Sequence, residues 1–347
     1  MSDGGSETGF RDRALDGWRG LAITGVLFDH FITSEVINVG RFGVELFFVL
    51  SGRLMADILF VRHTPLWHFF PRRVARIYPT LFCFATTIWL ISLVVYNLGI
   101  TPQAYLSAIT LTANYVSIFW RRTLDYDHLW SLCIEEHMYI LLGIIAAVTR
   151  RNGASPARII AVLAGVAMVV GAVQTWGWHF SYKQAYWRSD VRGASILIGA
   201  LAFLLLRDAA RRPAWLNHPA SPVCLALMAG LLNVNVVPDP IKYTVGTMCL
   251  ATGLVTLGQA APWWNRIFGS RLLVGMGIVS YSIYVWQEPF GEIEDRWVRF
   301  ATLPLVFGCG LLSFYLVEQP ARRALNRLFA PGPSRAAGPE LSTPRAG

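Results

Sequence analysis

Ten stretches of the chain, at 14–33, 42–61, 78–98, 128–149, 158–177, 191–206, 220–237, 241–261, 272–291 and 301–318, are apolar over about the length a helix needs to cross a bilayer core. Backbone that enters lipid must satisfy its own hydrogen bonds. The pattern therefore predicts an all-α fold, a polytopic membrane helix bundle of about ten transmembrane helices. Composition agrees, since only 15% of the 347 residues are charged, against about a quarter in soluble domains. Lys and Arg (30) outnumber Asp and Glu (21), but no basic stripe falls on a soluble segment. The excess reads as a topological bias rather than a nucleic-acid surface.

Charge placement orients the bundle. With a cytoplasmic N-terminus, 19 Lys and Arg fall inside and 8 outside, as the positive-inside rule prefers. Ala104–Trp120 is a more polar candidate, carrying Ser107, Thr110, Thr112, Asn114 and Ser117. Counting it as a span would turn over every later loop and expose the basic tail outside. It is expected to be a partial or surface helix, with both termini cytoplasmic. The polar segment 1–13 lacks the apolar run and cleavage site of a signal peptide. Residues 14–324 read as one membrane domain, and the Pro/Gly/Ser-rich tail 331–347 as disordered. Cys83, Cys133, Cys224, Cys249 and Cys309 lack metal-ligand or disulfide spacing, so they are expected as small core residues and no metal is expected.

The first window contains a contradiction. Leu15–Phe31, LDGWRGLAITGVLFDHF, is apolar yet carries Asp16, Arg19, Asp29 and His30. A charged side chain at the bilayer centre costs about 2.5–3.5 kcal/mol on insertion scales. Arg19 and His30 are 11 residues apart, only about 20° beyond three full helical turns, so both face one way, about 16 Å apart along the axis. Two costly groups on one stripe suggest a shared polar cavity, in which the imidazole could take a proton from a hydroxyl.

Other windows bring polar groups to a similar depth. Glu45 lies in RFGVELFFVLSGRL, Glu135 and Glu136 in LWSLCIEEHMYILL, and Trp286, Gln287 and Glu288 in YSIYVWQEPF. A carboxylate beside the imidazole would fix its tautomer, and Glu45, Glu135 and Glu136 are all candidates. In HFFPRRVARIYP, Arg73 and Arg76 are three apart and share a helix side, with Arg72 beside them. Guanidinium groups suit phosphate, although ordinary positive-inside anchoring explains them equally well. Arg53 and Asp57, four apart, are expected to pair within their helix. The aromatic segment 176–187, WGWHFSYKQAYW, reads as an interfacial belt more readily than as a sugar-stacking surface.

Together, LDGWRG…H, GVELFFVLSG, RRVARIYPT, LWSLCIEEHMYILL, YSIYVWQEPF and FYLVEQPARR resemble the acyltransferase-3 family of integral membrane acyltransferases, in the family's order, from about residue 13 to 324. The resemblance implies that His30 is the catalytic residue of an Arg-x10-His motif that includes Arg19. It also implies that Arg73 and Arg76 form an Arg-x-x-Arg element handling an acyl-CoA donor, such as acetyl-CoA, as co-substrate with no tightly bound cofactor. Glu135 matches the Glu of the family's WSL-x-VE pattern. The expected activity is O-acylation of a hydroxyl, first of a cell-surface glycan or its lipid-linked precursor and second of a small metabolite, in the bacterial inner membrane. Direct transfer and a transient acyl-histidine are both compatible with it. Arg53, Met138 and Gln287 depart from the family pattern, and no hydrolase-like domain follows the membrane part, as in stand-alone members. The rival classes are an ion-coupled transporter, weakened because no inverted repeat is evident, and a non-catalytic assembly subunit, weakened by the retention of Arg19 and His30.

Overall fold

The computed structural model describes residues 4–32, 36–95, 100–120 and 124–329. Residues 1–3 of the polar N-terminal segment, Arg121 and Arg122, and the expected disordered tail 331–347 lie outside the described residues. The described chain is all-helical with no strand; one isolated antiparallel bridge joins Ile37 to Val234.

Each apolar window becomes helical. The first two are α1 (Gly4–Phe31) and α2 (Val39–Ala56), which runs on through a π-helical turn at Asp57–Val61. The third, α3 (Leu66–Val94), carries Pro71 and Pro79, and the arginine motif lies between them. The polar candidate 104–120 is two short helices, α4 (Pro102–Ile109) and α5 (Ala113–Phe119), with Leu111 at φ 56° between them. Eight and seven residues at 1.5 Å each are far too short to cross a bilayer core of about 30 Å.

The middle of the chain forms α6 (Trp130–Asn152), closed by Gly153 at φ 70°, and α7 (Pro156–Ala172), which continues as a π-helical turn to Gly177. Short helices α8 (Tyr182–Tyr186) and α9 (Ser189–Arg192) lead into α10 (Ala194–Leu206). Next come α11 (Ser221–Leu231), α12 (Asp239–Ile241) and α13 (Thr247–Val255). The last part holds α14 (Pro262–Phe268), α15 (Arg271–Trp286), α16 (Glu288–Gly291), α17 (Arg296–Ala301), α18 (Leu303–Ser313) and α19 (Gln319–Leu328).

Among the described residues, five helices are long and apolar enough to cross a membrane: Leu66–Val94, Tyr126–Asn152, Pro156–Gly177, Ser189–Leu206 and Arg296–Leu328. The bent pair α14–α15, with 47° between its halves, makes a sixth. The other expected windows are also helical, but α1 and α2 carry several charges and α11 and α13 are short.

Glycines let the central helices approach backbone to backbone, as at lipid-embedded helix interfaces. A Cβ on Gly277 of α15 would lie 1.8 Å from the Asp16 carbonyl oxygen, and one on Gly20 of α1 would lie 2.0 Å from that of Leu273. The cysteine expectation holds for Cys133, which is buried; Cys83, Cys249 and Cys309 are half-buried and Cys224 on α11 is exposed. The aromatic segment divides: Trp176 and Trp178 are exposed, whereas Tyr186 is buried and Trp187 stacks on Trp130 with 5.4 Å between rings.

Gly277→Val forces α1 and α15 apart and should destabilise the detergent-solubilised protein by about 1–3 kcal/mol, the usual cost of overpacking. Gly165→Ala on α7, with nothing within 4 Å of the added carbon, should leave the thermal midpoint unchanged or slightly raised. Equal behaviour of the two variants in a melting assay would refute the close-packing account.

Candidate active site

Arg19, Arg73 and Arg76 come together around one cavity. They arrive from α1 and α3, while α2, α6 and α15 supply the remaining wall. Arg19 is steadied by Asp16 three residues earlier, N to O 3.0 Å. The Arg73 guanidinium lies 5.3 Å from the ring centre of Tyr139, within range of a cation–π interaction. Glu135 faces the same space and accepts hydrogen bonds from Ser51 Oγ at 3.1 Å and Tyr139 Oη at 2.9 Å. Glu136 lies within electrostatic reach of Arg73 and Arg76. Both carboxylates of the IEE triplet therefore belong to the arginine end of the site.

His30 occupies the last turn of α1, beyond the cavity, with 31% of its side chain exposed. The carboxylate that approaches it is Glu288: Nδ1 to Oε2 is 3.8 Å. The same oxygen lies 3.9 Å from Nδ1 of the buried His128 and accepts from Gln287 Nε2 at 3.1 Å. Gly291 leaves room for the ring, since a Cβ there would lie 3.1 Å from His30 Nδ1. His128 is tied back towards the cavity: Tyr284 Oη donates to its carbonyl and pairs with Ser131 Oγ at 2.7 Å. Ser131 and Tyr284 themselves line the cavity. Two residues of the cavity wall are thus bonded to the residue that shares Glu288 with His30.

Glu45 takes another place. Considered as a partner for His30, it is bound to Arg192 Nη2 at 2.6 Å and accepts from Thr247 Oγ1. Both side chains are almost wholly buried, at 1% and 0% exposure, and the Arg192 guanidinium also lies 3.5 Å from the Tyr243 ring centre. A carboxylate this deep needs a cation and finds one on α9. Asp57 forms an ion pair with Arg62 at 2.7 Å, and Arg53 stacks towards Phe203 with 5.3 Å to the ring centre.

Sequence reasoning had quoted the segments holding Glu288 and Tyr284 without assigning them roles. It passed over His128, immediately before the LWSL motif, and Arg192, a lone charge in an apolar window. An ionisable residue inside a span is itself the signal, and Arg192 carried it.

Residues 12–318 match the family model described as an acyltransferase domain. A candidate membrane-bound transacylase of Komagataeibacter xylinus, BcsY, is 28% identical over 95% of this chain and 88% of its own length. A candidate peptidoglycan O-acetyltransferase of Bacillus subtilis, YrhL, is 27% identical over 91% of this chain, and a candidate O-acetyltransferase of Staphylococcus aureus 24% over 89%. The chain spans 56% and 57% of those two relatives' lengths. No solved structure matches.

Replacing Arg192 by Leu strands Glu45 in the interior and should cost about 3–5 kcal/mol. Adding Glu45→Met should recover most of that loss, as read from thermal unfolding in detergent. A double variant as unstable as Arg192→Leu alone would show that the pair is not the source of the loss.

Proposed function

The chain belongs to the acyltransferase family whose domain model it matches over residues 12–318, and we propose that it moves an acetyl or other short acyl group from acyl-CoA onto a hydroxyl of a cell-surface glycan or its lipid-linked precursor. The observation that carries this reading is the cavity lined by Arg19, Arg73 and Arg76, whose wall residues Tyr284 and Ser131 are tied to His128, which shares Glu288 with His30. Planar guanidinium groups match phosphate oxygens in pairs, so the three arginines would grip the coenzyme's phosphates. Arg19 and His30 are about 16 Å apart along α1, a gap that the extended thioester arm would bridge.

At the far end His30 Nε2 takes the proton of the acceptor hydroxyl as its oxygen attacks the thioester carbon. The carbon–sulfur bond breaks, and the proton returns to the departing thiolate. Glu135, held by Ser51 and Tyr139, sets the floor of the donor cavity and keeps Tyr139 under Arg73. Glu45 acts through the packing of α2 against α9 and α10, holding Ser51 in register. The names of the Bacillus and Staphylococcus relatives, which specify O-acetyl transfer, support a short acyl group, and the peptidoglycan relative supports a glycan acceptor. Ten crossings with both termini cytoplasmic, in a bacterial inner membrane, fit the distribution of Lys and Arg and would put the arginine cavity on the coenzyme's side.

With acetyl-CoA and crude surface glycan, His30→Ala should lower kcat by about 10²–10⁴-fold, the range for a lost general base. Arg73→Ala should instead raise KM for acetyl-CoA about 10–100-fold, the loss of a hydrogen bond to a charged group. Free-thiol release by the purified protein in detergent measures both. Turnover undiminished in His30→Ala removes His30 as the base, and an unchanged KM in Arg73→Ala removes the donor assignment.

A further inference from the structure

The two imidazoles that flank Glu288 set a constraint on where protons sit. His128 Nε2 lies 3.1 Å from the Val285 carbonyl oxygen. A carbonyl can only accept, so that nitrogen carries the hydrogen and Nδ1 of the neutral ring is a bare acceptor. This bare nitrogen faces Glu288 Oε2 at 3.9 Å, inside a pocket where both residues are buried. An ionised carboxylate and a bare nitrogen repel; the arrangement is attractive once a proton lies between them. His30 Nδ1 approaches the same oxygen from the other side at 3.8 Å. One carboxyl oxygen thus stands between a partly exposed base and a buried acceptor whose tautomer the backbone dictates.

We infer that Glu288 and His128 are positioning residues that share His30's proton during acyl transfer. The inference rests on His30 being the base. In the resting site Glu288 is ionised and holds the Nδ1 hydrogen of His30, which leaves Nε2 bare and turned to the acceptor hydroxyl. When Nε2 takes the hydroxyl proton, the Nδ1 proton moves to Glu288 Oε2. His30 stays neutral in its other tautomer, and the new carboxyl O–H is accepted by His128 Nδ1. Every proton is accounted for: one arrives at Nε2, one leaves Nδ1, and the carboxylate becomes a carboxylic acid. When the thiolate departs, the shift reverses and the proton leaves from Nε2 to sulfur. No separated charge persists in a medium that would penalise it. Gln287, whose amide donates to the same oxygen at 3.1 Å, holds the carboxyl in place throughout.

Among the described residues, other ionisable groups facing this cluster are Asp127, next to His128 and paired with Lys183 at 3.0 Å, Tyr284 from α15, and Arg299 from α17, whose charge faces His30. They stay unchanged in the variants below.

The test is steady-state turnover of the full-length protein in detergent with acetyl-CoA and crude glycan across a pH series, comparing wild type with His30→Ala, Glu288→Gln, Glu288→Asp and His128→Gln. Glu288→Gln should lower kcat by about 10²-fold, with KM for acetyl-CoA unchanged. It should also move the acidic limb of kcat/KM to lower pH, because an imidazole without its anion is harder to protonate. Glu288→Asp should restore part of the rate. His128→Gln keeps a donor for the Val285 carbonyl but replaces the basic Nδ1 with a far less basic amide oxygen, and should fall between wild type and Glu288→Gln. A second readout needs no substrate: ¹⁵N ring shifts should report His30 as the Nδ1–H tautomer in wild type and as a tautomer mixture in Glu288→Gln. If Glu288→Gln keeps kcat within twofold while His30→Ala is inactive, or loses rate without a limb shift or tautomer change, the proton-sharing role is wrong and the base assignment stands. If His30→Ala remains active, the base assignment itself fails and this inference with it.

Discussion

A charge inside hydrocarbon must be neutralised by a partner or opened to water, and the arrangement of this bundle follows from that requirement. Three guanidiniums from α1 and α3 are gathered around one cavity. Arg192 and Glu45 meet in the interior because neither could be left alone there. The acid and two imidazoles at the end of α1 share a single oxygen. Each cluster draws side chains from distant parts of the sequence, so each also locks helices together.

The first helix is where these requirements converge. It offers Arg19 to the arginine cavity and His30 to the far end on the same stripe, and its other faces are packed tightly against α15 and α2. Its glycines remove the Cβ atoms that would hold the neighbouring backbones apart, so the two functional side chains sit on a stiff rod. That rigidity matters for transfer over a distance. A donor gripped at one end and a base held at the other can work together only if the gap between them is constant.

Tyr284 and Ser131 join the two parts of the site. They line the arginine cavity and also bind the backbone of His128, the imidazole beside Glu288. The two ends of the site are parts of one polar column in which α1, α6, α15 and the turn before α6 each contribute a layer.

Much of this was legible along the chain. The apolar windows became helices, the 11-residue interval of Arg19 and His30 put them on one stripe, and the Arg-x-x-Arg spacing put Arg73 and Arg76 on one wall. All three are local consequences of helical period and lipid solubility, which a sequence carries by itself. Polar residues and the charge count marked 104–120 as unusual, though only the structure shows that it breaks into two helices at the left-handed Leu111. What the sequence left open was the pairing of charges. Glu45, Glu135 and Glu136 were equal candidates beside His30, yet Glu45 went to Arg192, Glu135 to Ser51 and Tyr139, and Glu288 to the imidazole. Helix period determines which way a residue points, but its partner depends on how helices far apart in the chain cross and at what height. That is a tertiary quantity, and in this protein it alone decided which acid meets which base.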